Sequence, residues 1–278
     1  MERVIAPSCR SYRTIGKIKA AHTWSNRPIW PQGIDRPHGS DPVPKTVNWD
    51  LWLGVAQERP YKTKVYHPFN WRGWCDFGAG ALGDMGCHII DPVVWSLELG
   101  PPKSVSYKGP EPKPETFPKT EVLTYTFDGT KFTAGDTLTM QWHDGGQRPS
   151  GVMDVPDGDL PANGSLFIGT EGALVCPHGG APKLYPQEKF ADAELPAVGG
   201  IDHYGEWIDG IKTGKAPGSN FAYAGPMTET VLLGVIASRV GAGELQWDAE
   251  KLQFPNSAAA TAFVKEEYRR DWEVEGLS

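Results

Sequence analysis

The most informative segment of the chain reads Gly78-Ala-Gly80-Ala-Leu-Gly83-Asp84-Met-Gly86-Cys87-His88-Ile-Ile-Asp91. It contains a literal G-x-G-x-x-G, the pattern with which many proteins bind a dinucleotide. That function requires a hydrophobic strand directly before the first glycine and an acidic residue about 20 positions further on. The preceding residues, 70–77, are instead polar, aromatic and interrupted by glycine. The pattern therefore predicts a flexible loop that leads into a helix, and not a dinucleotide site.

Two side chains on this predicted helix, Asp84 and His88, are four residues apart. This spacing places a carboxylate and an imidazole on one helical face, and the glycines allow a ligand to come close. Histidine exchanges protons near neutral pH, and the helix dipole favours an anion in the first turn. One interpretation is an acid/base pair; the other is that Asp84 caps the helix and His88 is a hydrogen-bonded core residue. A metal site that also uses Cys87 is not predicted, because three ligands on one turn lack a distant fourth.

The composition of the chain excludes several classes of protein. The 278 residues carry a net charge of −7 and no cluster of lysine and arginine, which argues against nucleic-acid binding. No apolar run approaches the ~18 residues that a membrane helix needs, and the first residues lack the apolar core of a signal peptide. The four cysteines (Cys9, Cys75, Cys87 and Cys176) form neither a zinc motif nor a disulfide framework. These features predict a globular protein of the cytoplasm.

The order of helical and strand patterns predicts the fold class. A strand begins at Lys17 and leads into a proline-rich excursion over residues 28–48, after which Asn48 caps a short helix. A helix over 82–98 is either kinked at Pro92 or restarted with Asp91 as cap and Pro92 at the first position. Period-two segments follow, separated by turns, at 104–107, 121–127, 136–142, 164–168, 172–176 and 183–185. Helical patterns return at 203–213, 223–241 and 257–269.

This pattern predicts an α+β fold in which an open, mostly antiparallel β-sheet has helices packed on one face. Residues 1–16 form an irregular N-terminal segment, and residues 17–278 form a single domain. The polar face of the sheet is the side that the helices leave uncovered.

Several motifs occur in an order that resembles a known family. They are Trp24-Ser-Asn26-Arg27-Pro28, Pro68-Phe-Asn-Trp71-Arg72, the block from Gly80 to Asp91, Phe167-Ile-Gly169-Thr-Glu171-Gly172, Leu245-Gln-Trp247-Asp248 and Tyr268-Arg269. Together they resemble the C-terminal domain of the Gfo/Idh/MocA oxidoreductases, the group of glucose-fructose oxidoreductase and inositol dehydrogenase. The most specific part is the G-D-x-G-x-H-x-x-D block.

The resemblance implies an NAD- or NADP-dependent enzyme that oxidises a sugar or polyol. Family members bind the nicotinamide cofactor in an N-terminal Rossmann domain, which also carries a Glu-Lys-Pro motif; neither is recognisable in this sequence. We therefore expect the substrate-binding and catalytic C-terminal domain of such an enzyme, inactive without its cofactor domain. The alternatives are a cofactor-free carbohydrate-binding or assembly module and, within enzymes, a lyase or glycosidase that works by transient oxidation.

The resemblance also implies roles for individual residues. His88 would be the general acid/base, and Asp84 would bind a neighbouring hydroxyl or orient the imidazole. Substrate contacts would come from Asn26, Arg27, Trp71, Arg72 and His203; ordinary anchoring of loops is the alternative for these positions. Family members pair the open sheet face with another subunit, so a homodimer or homotetramer is expected.

Overall fold

The computed structural model describes residues 14–152, 155–195, 202–241 and 243–276. The predicted N-terminal segment, residues 1–16, lies outside these ranges except for its last three positions. Within the ranges, none of the helices combines the length and apolar character needed to cross a bilayer.

One eight-stranded sheet forms the centre of the fold, with its strands in the order β7-β6-β5-β1-β4-β3-β2-β8. Neighbouring strands are antiparallel except for β1 and β4, which run parallel. The predicted open, mostly antiparallel sheet is confirmed. The strands are Ile18–Trp24 (β1), Ser104–Lys108 (β2), Val122–Asp128 (β3), Thr137–His143 (β4), Gly164–Gly169 (β5), Ala173–Pro177 (β6), Lys183–Tyr185 (β7) and Gly243–Gln246 (β8).

The helices are Trp49–Leu53 (α1), Gly80–Ile89 (α2), Asp91–Leu97 (α3), His203–Thr213 (α4), Phe221–Val240 (α5) and Ala258–Thr261 (α6). Helices α2, α3 and α5 pack on one face of the sheet, where they bury the core. Small residues allow close approach, because a Cβ added to Gly86 of α2 would lie 3.2 Å from Val231 of α5. The predicted arrangement of helices on one side is confirmed.

The alternation along β4 shows how the two faces of the sheet differ. Leu138, Met140 and Trp142 are fully buried in the helix-covered core, whereas Thr137 and Thr139 are exposed on the opposite face. Burying a large apolar side chain contributes roughly 1.5–3 kcal/mol to stability. This period of two therefore fixes which face the helices cover.

The helix predicted over 82–98 is two helices. Proline has no N–H to donate, so it is best tolerated in the first turn of a helix. Accordingly α2 ends at Ile89 and α3 starts at Asp91, with Pro92 in its first turn. Asp91 is the first helical residue and not the cap, because the capping position belongs to Ile90.

Of the other predicted helices, three are confirmed and one is wrong. Asn48 caps α1 as expected, by accepting a hydrogen bond from the backbone N–H of Leu51, and the predicted helices at 203–213 and 223–241 are confirmed. The helix predicted over 257–269 is wrong, because only Ala258–Thr261 is helical. Buried Arg269 instead fixes the following segment to α1: it forms an ion pair with Asp50 at 2.7 Å and donates to the carbonyl of Gly54.

The excursion after β1 has no regular element before α1, as predicted, but it has an aromatic core of its own. The rings of Trp49 and Trp52 stack at 4.7 Å, and Trp52 also contacts Phe77 at 4.8 Å. The Arg59 guanidinium lies 4.8 Å from the Phe77 ring and forms an ion pair with Asp76. This cluster holds the chain that leads into α2.

Candidate functional site

The glycine-rich segment begins helix α2, and its glycines serve internal packing. Gly80 has φ +64°, and a Cβ at this position would lie 2.8 Å from the Phe117 ring. A Cβ on Gly78 would lie 2.6 Å from the backbone of Arg72. The space that a pyrophosphate would need is therefore filled by the protein itself, and the segment follows a 3-10 turn at Asn70–Gly73 and not a strand. The residues present do not fit a dinucleotide.

A cleft of about 530 Å³ lies beside the start of α2. Its walls include Trp71, Arg72, Asp84 and Glu266. Arg72 Nε donates to Asp84 Oδ1 at 3.1 Å, and both side chains are about one quarter exposed. The Arg72 guanidinium lies 4.5 Å from the Trp71 ring. We call this the Arg72 cleft; it presents a cation, carboxylates and an aromatic face to a ligand.

The position of Asp84 differs from the prediction in one respect. Helix α2 starts at Gly80, so Asp84 lies in the second turn, and the capping position is Ala79. Neither the helix dipole nor capping then accounts for the carboxylate, because both effects act within the first turn. The charge of Asp84 is instead compensated by Arg72.

His88 lies one turn further along α2 and borders a cavity of only about 10 Å³ with Ser165, Cys176 and His178. The rings of His88 and His178 are 5.6 Å apart. The structure shows two pairs along α2, Arg72 with Asp84 and His88 with His178. The acid/base role of Asp84 and His88 stays a prediction. Residues four apart are neighbours on a helix, and four residues advance it by about 6 Å, so the two pairs lie along the same side of α2.

Asn26 and Arg27 lie at the end of β1, on the His88 side of this arrangement. The backbone N–H of Asn26 donates to Asn163 Oδ1 at 2.9 Å, and the carbonyl of Asn163 accepts from the N–H of His178 at 3.0 Å. Arg27 Nη1 donates to Asn26 Oδ1 at 2.6 Å. Asn163 therefore joins the Asn26 loop to the His178 turn.

His203 is not brought to either cavity. It is the first residue of α4 and is exposed, with its ring 5.5 Å from that of Tyr204. Among the predicted residues, the structure thus groups Trp71, Arg72 and Asp84 in one place and links Asn26 and Arg27 to the surroundings of His88.

Two residues of this region were missed by sequence reasoning. His178 follows β6 and is 90 positions from His88, so no local spacing connects them. Tyr223 lies in the first turn of α5, and its hydroxyl donates to the carboxylate of buried Asp91. The sequence offered one signal for Tyr223, which is Asp91 at the end of the G-D-x-G-x-H-x-x-D block. A buried carboxylate requires a hydrogen-bond donor.

The chemistry of the site suits a neutral, hydroxyl-rich molecule. Arginine and carboxylate groups form hydrogen bonds with hydroxyls, an indole face packs against C–H groups, and an imidazole accepts or returns a proton. Across the described ranges, no three side chains of the metal-binding types come close enough to hold a metal ion.

Comparison with known protein families gives a match to part of the chain. Residues 18–138 match a family model of the Gfo/Idh/MocA group, described as "Oxidoreductase family, C-terminal alpha/beta domain". This match confirms the resemblance, and it includes α2 with Asp84 and His88. A search of curated proteins finds no match.

Solved structures give more distant similarities. An NAD-binding protein from Listeria innocua is 15% identical, with a TM-score of 0.49 over 87% of this chain and 63% of its own. An inositol dehydrogenase homologue from Azotobacter vinelandii, complexed with NADH and myo-inositol, is 11% identical, with a TM-score of 0.39 over 87% of this chain and 61% of its own. Levoglucosan dehydrogenase with NADH and L-sorbose is 13% identical, with a TM-score of 0.43 over 88% and 64%. The chain spans less than two thirds of each of these structures.

Proposed function

We propose, on the premise that residues 18–138 are a C-terminal domain of the Gfo/Idh/MocA oxidoreductases, that the chain binds the substrate of an NAD- or NADP-dependent sugar or polyol dehydrogenase. The observation that carries this proposal is the Arg72 cleft, which lies within the matched residues. A cation, a carboxylate and an indole ring converge there on a space of about 530 Å³.

The polyol would lie along α2. Arg72 offers several N–H donors in a fixed plane, Asp84 accepts hydrogen bonds from hydroxyls, and Trp71 packs against the carbon skeleton. His88, one turn beyond, would take the proton of the reacting hydroxyl, with His178 beside it. Asn26 and Arg27 would close the His88 end, whereas His203 is proposed only for a substrate contact made when another protein surface covers α4.

The glycine-rich segment leaves no space for the nicotinamide cofactor, which would accept the hydride. We propose that a nucleotide-binding domain supplies it. Helix α4 supports this proposal, because it exposes an apolar stripe at helical spacing: Tyr204, Trp207, Ile208 and Ile211. Exposed stripes of this kind are typical of surfaces that another protein covers. The alternative function, a cofactor-free carbohydrate-binding or assembly module, uses the same cleft without redox chemistry.

Thermal unfolding in the presence of ligands tests the binding function. We expect myo-inositol or a hexose to raise the Tm of the chain and NAD or NADP to leave it unchanged. Asp84→Asn removes the carboxylate charge and should reduce the shift, and Asp128→Asn, on an exposed strand end, is the matched control. A folded chain that responds to no member of a broad sugar and polyol panel would favour the assembly alternative and contradict the proposal.

A further inference from the structure

Two histidines on adjacent parallel strands form a pair away from the proposed substrate site. His22 lies in β1 and His143 ends β4; the strand register aligns His22 with Gln141, and Trp24 with His143. Both histidines therefore project from the sheet face opposite Ala21, Met140 and Trp142, which belong to the helix-covered core. The pair lies beside the patch in which Val155 and Leu160 pack on Trp24.

The geometry of the pair fits the coordination of a metal ion. His22 Nδ1 and His143 Nε2 are 3.4 Å apart, and their ring planes are inclined by 31°. Two imidazole nitrogens bound at 2.0–2.1 Å in a tetrahedral arrangement are about 3.3–3.4 Å from each other. The observed separation thus matches the distance that a tetrahedral ion imposes on two of its ligands.

The burial of the two rings also restricts their movement. His22 is partly buried and His143 is buried. His143 is only 8% exposed, so its ring has few alternative orientations.

We propose that His22 and His143 form a two-imidazole chelate for a divalent transition-metal ion of the Zn²⁺, Co²⁺ or Ni²⁺ class. Imidazole is a preferred ligand of these ions, whereas Mg²⁺ and Ca²⁺ require oxygen ligands. Water would complete the coordination shell. This site is independent of the substrate proposal, because α2 lies on the other face of the sheet.

Metal titration of the whole chain, treated with EDTA and then freed of chelator, tests the proposal. We expect Co²⁺ to produce the visible absorption of a tetrahedral complex, saturating at one ion per chain, and Zn²⁺ to raise the Tm until EDTA is added. Mg²⁺ should do neither. His22→Asn and His143→Asn should each abolish both signals, while His38→Asn, at an exposed position, should retain them.

A second readout covers the case in which His143→Asn does not fold. Imidazole ¹⁵N chemical shifts of the unmodified chain should change on Zn²⁺ addition for His22 and His143 and not for His178. Absence of saturable binding would mean that the pair is only an imidazole–imidazole hydrogen bond. Signals that persist in both asparagine variants, or that are lost in His178→Asn, would likewise overturn the assignment.

Discussion

Two carboxyl groups, Glu121 and Asp144, are buried next to each other in the described structure. Asp144 Oδ1 accepts a hydrogen bond from the backbone N–H of Glu121 at 2.7 Å, and the hydroxyl of Ser238 donates to Glu121. Desolvation raises the pKa of Glu121, with the nearby Asp144 as a further cause, and it raises the pKa of Asp144 to about 7. The folded protein therefore holds a proton that the unfolded chain releases near pH 4.

This difference predicts a stability that depends on pH. A carboxyl with a raised folded-state pKa contributes its full stability below the unfolded pKa and loses it as pH rises through the folded pKa. The free energy of unfolding should thus fall between about pH 4 and pH 7, by roughly 2–4 kcal/mol. Asp144→Asn should remove the part of this pH dependence that Asp144 contributes and leave the part contributed by Glu121. Urea unfolding at several pH values measures how the free energy of unfolding changes with pH in the unmodified chain and in the variant. Identical slopes for the two proteins would contradict the assignment to Asp144.

Local patterns in the sequence identified candidate site residues but not the side chains that these residues contact. The spacing of Asp84 and His88 singled them out, and both border cavities in the structure. Arg72 is 12 residues from Asp84 and reaches it only because the 3-10 turn at Asn70–Gly73 folds back on α2. Such pairings are set by tertiary contacts, which a helical spacing does not encode.

Among the secondary-structure elements, the alternation of polar and apolar residues predicted the strands better than helical periodicity predicted the helices. In β3 and β4 helices cover only one face, so burial alternates with a period of two, whereas β5 and β6 are buried on both faces. The helix predicted to end at Arg269 failed because that side chain is needed elsewhere: it is 6% exposed and is bound to Asp50 and Gly54 in α1 and its cap.

Loss of this anchor should destabilise the excursion. Arg269→Ala removes an ion pair and three side-chain hydrogen bonds to backbone carbonyls, which leaves those groups without their donor. We expect a loss of about 2–4 kcal/mol in the free energy of unfolding and faster proteolysis near residues 49–58. Arg270→Ala, at the exposed neighbouring position, is the control and should change stability by no more than about 0.5 kcal/mol. Equal effects of the two variants would contradict the anchoring role.

For the whole molecule, the salient feature is a sheet with one face left largely open. Thr139 and Thr126 are paired across β4 and β3 on this face, and the row continues to Ser104 of β2 and Gln246 of β8. The composition of the strands predicted this asymmetry, because polar and apolar residues alternate. It could not show what covers the polar face.

We propose that a second copy of the chain covers this face. Light scattering should then give a dimer or tetramer, and Thr126→Lys combined with Thr139→Lys should produce a monomer, because four like charges would meet across the interface. Thr46→Lys, on the exposed excursion, should leave the assembly intact. A monomeric unmodified chain would refute the prediction.

We propose that a polyol binds along α2 between Arg72, Asp84 and His88. A crystal structure of the chain with the polyol that most raises its Tm is the decisive test. We expect hydroxyl groups within hydrogen-bond distance of Arg72 and Asp84, with the polyol chain extending toward His88. A polyol bound elsewhere, with the Arg72 cleft holding only solvent, would contradict this proposal.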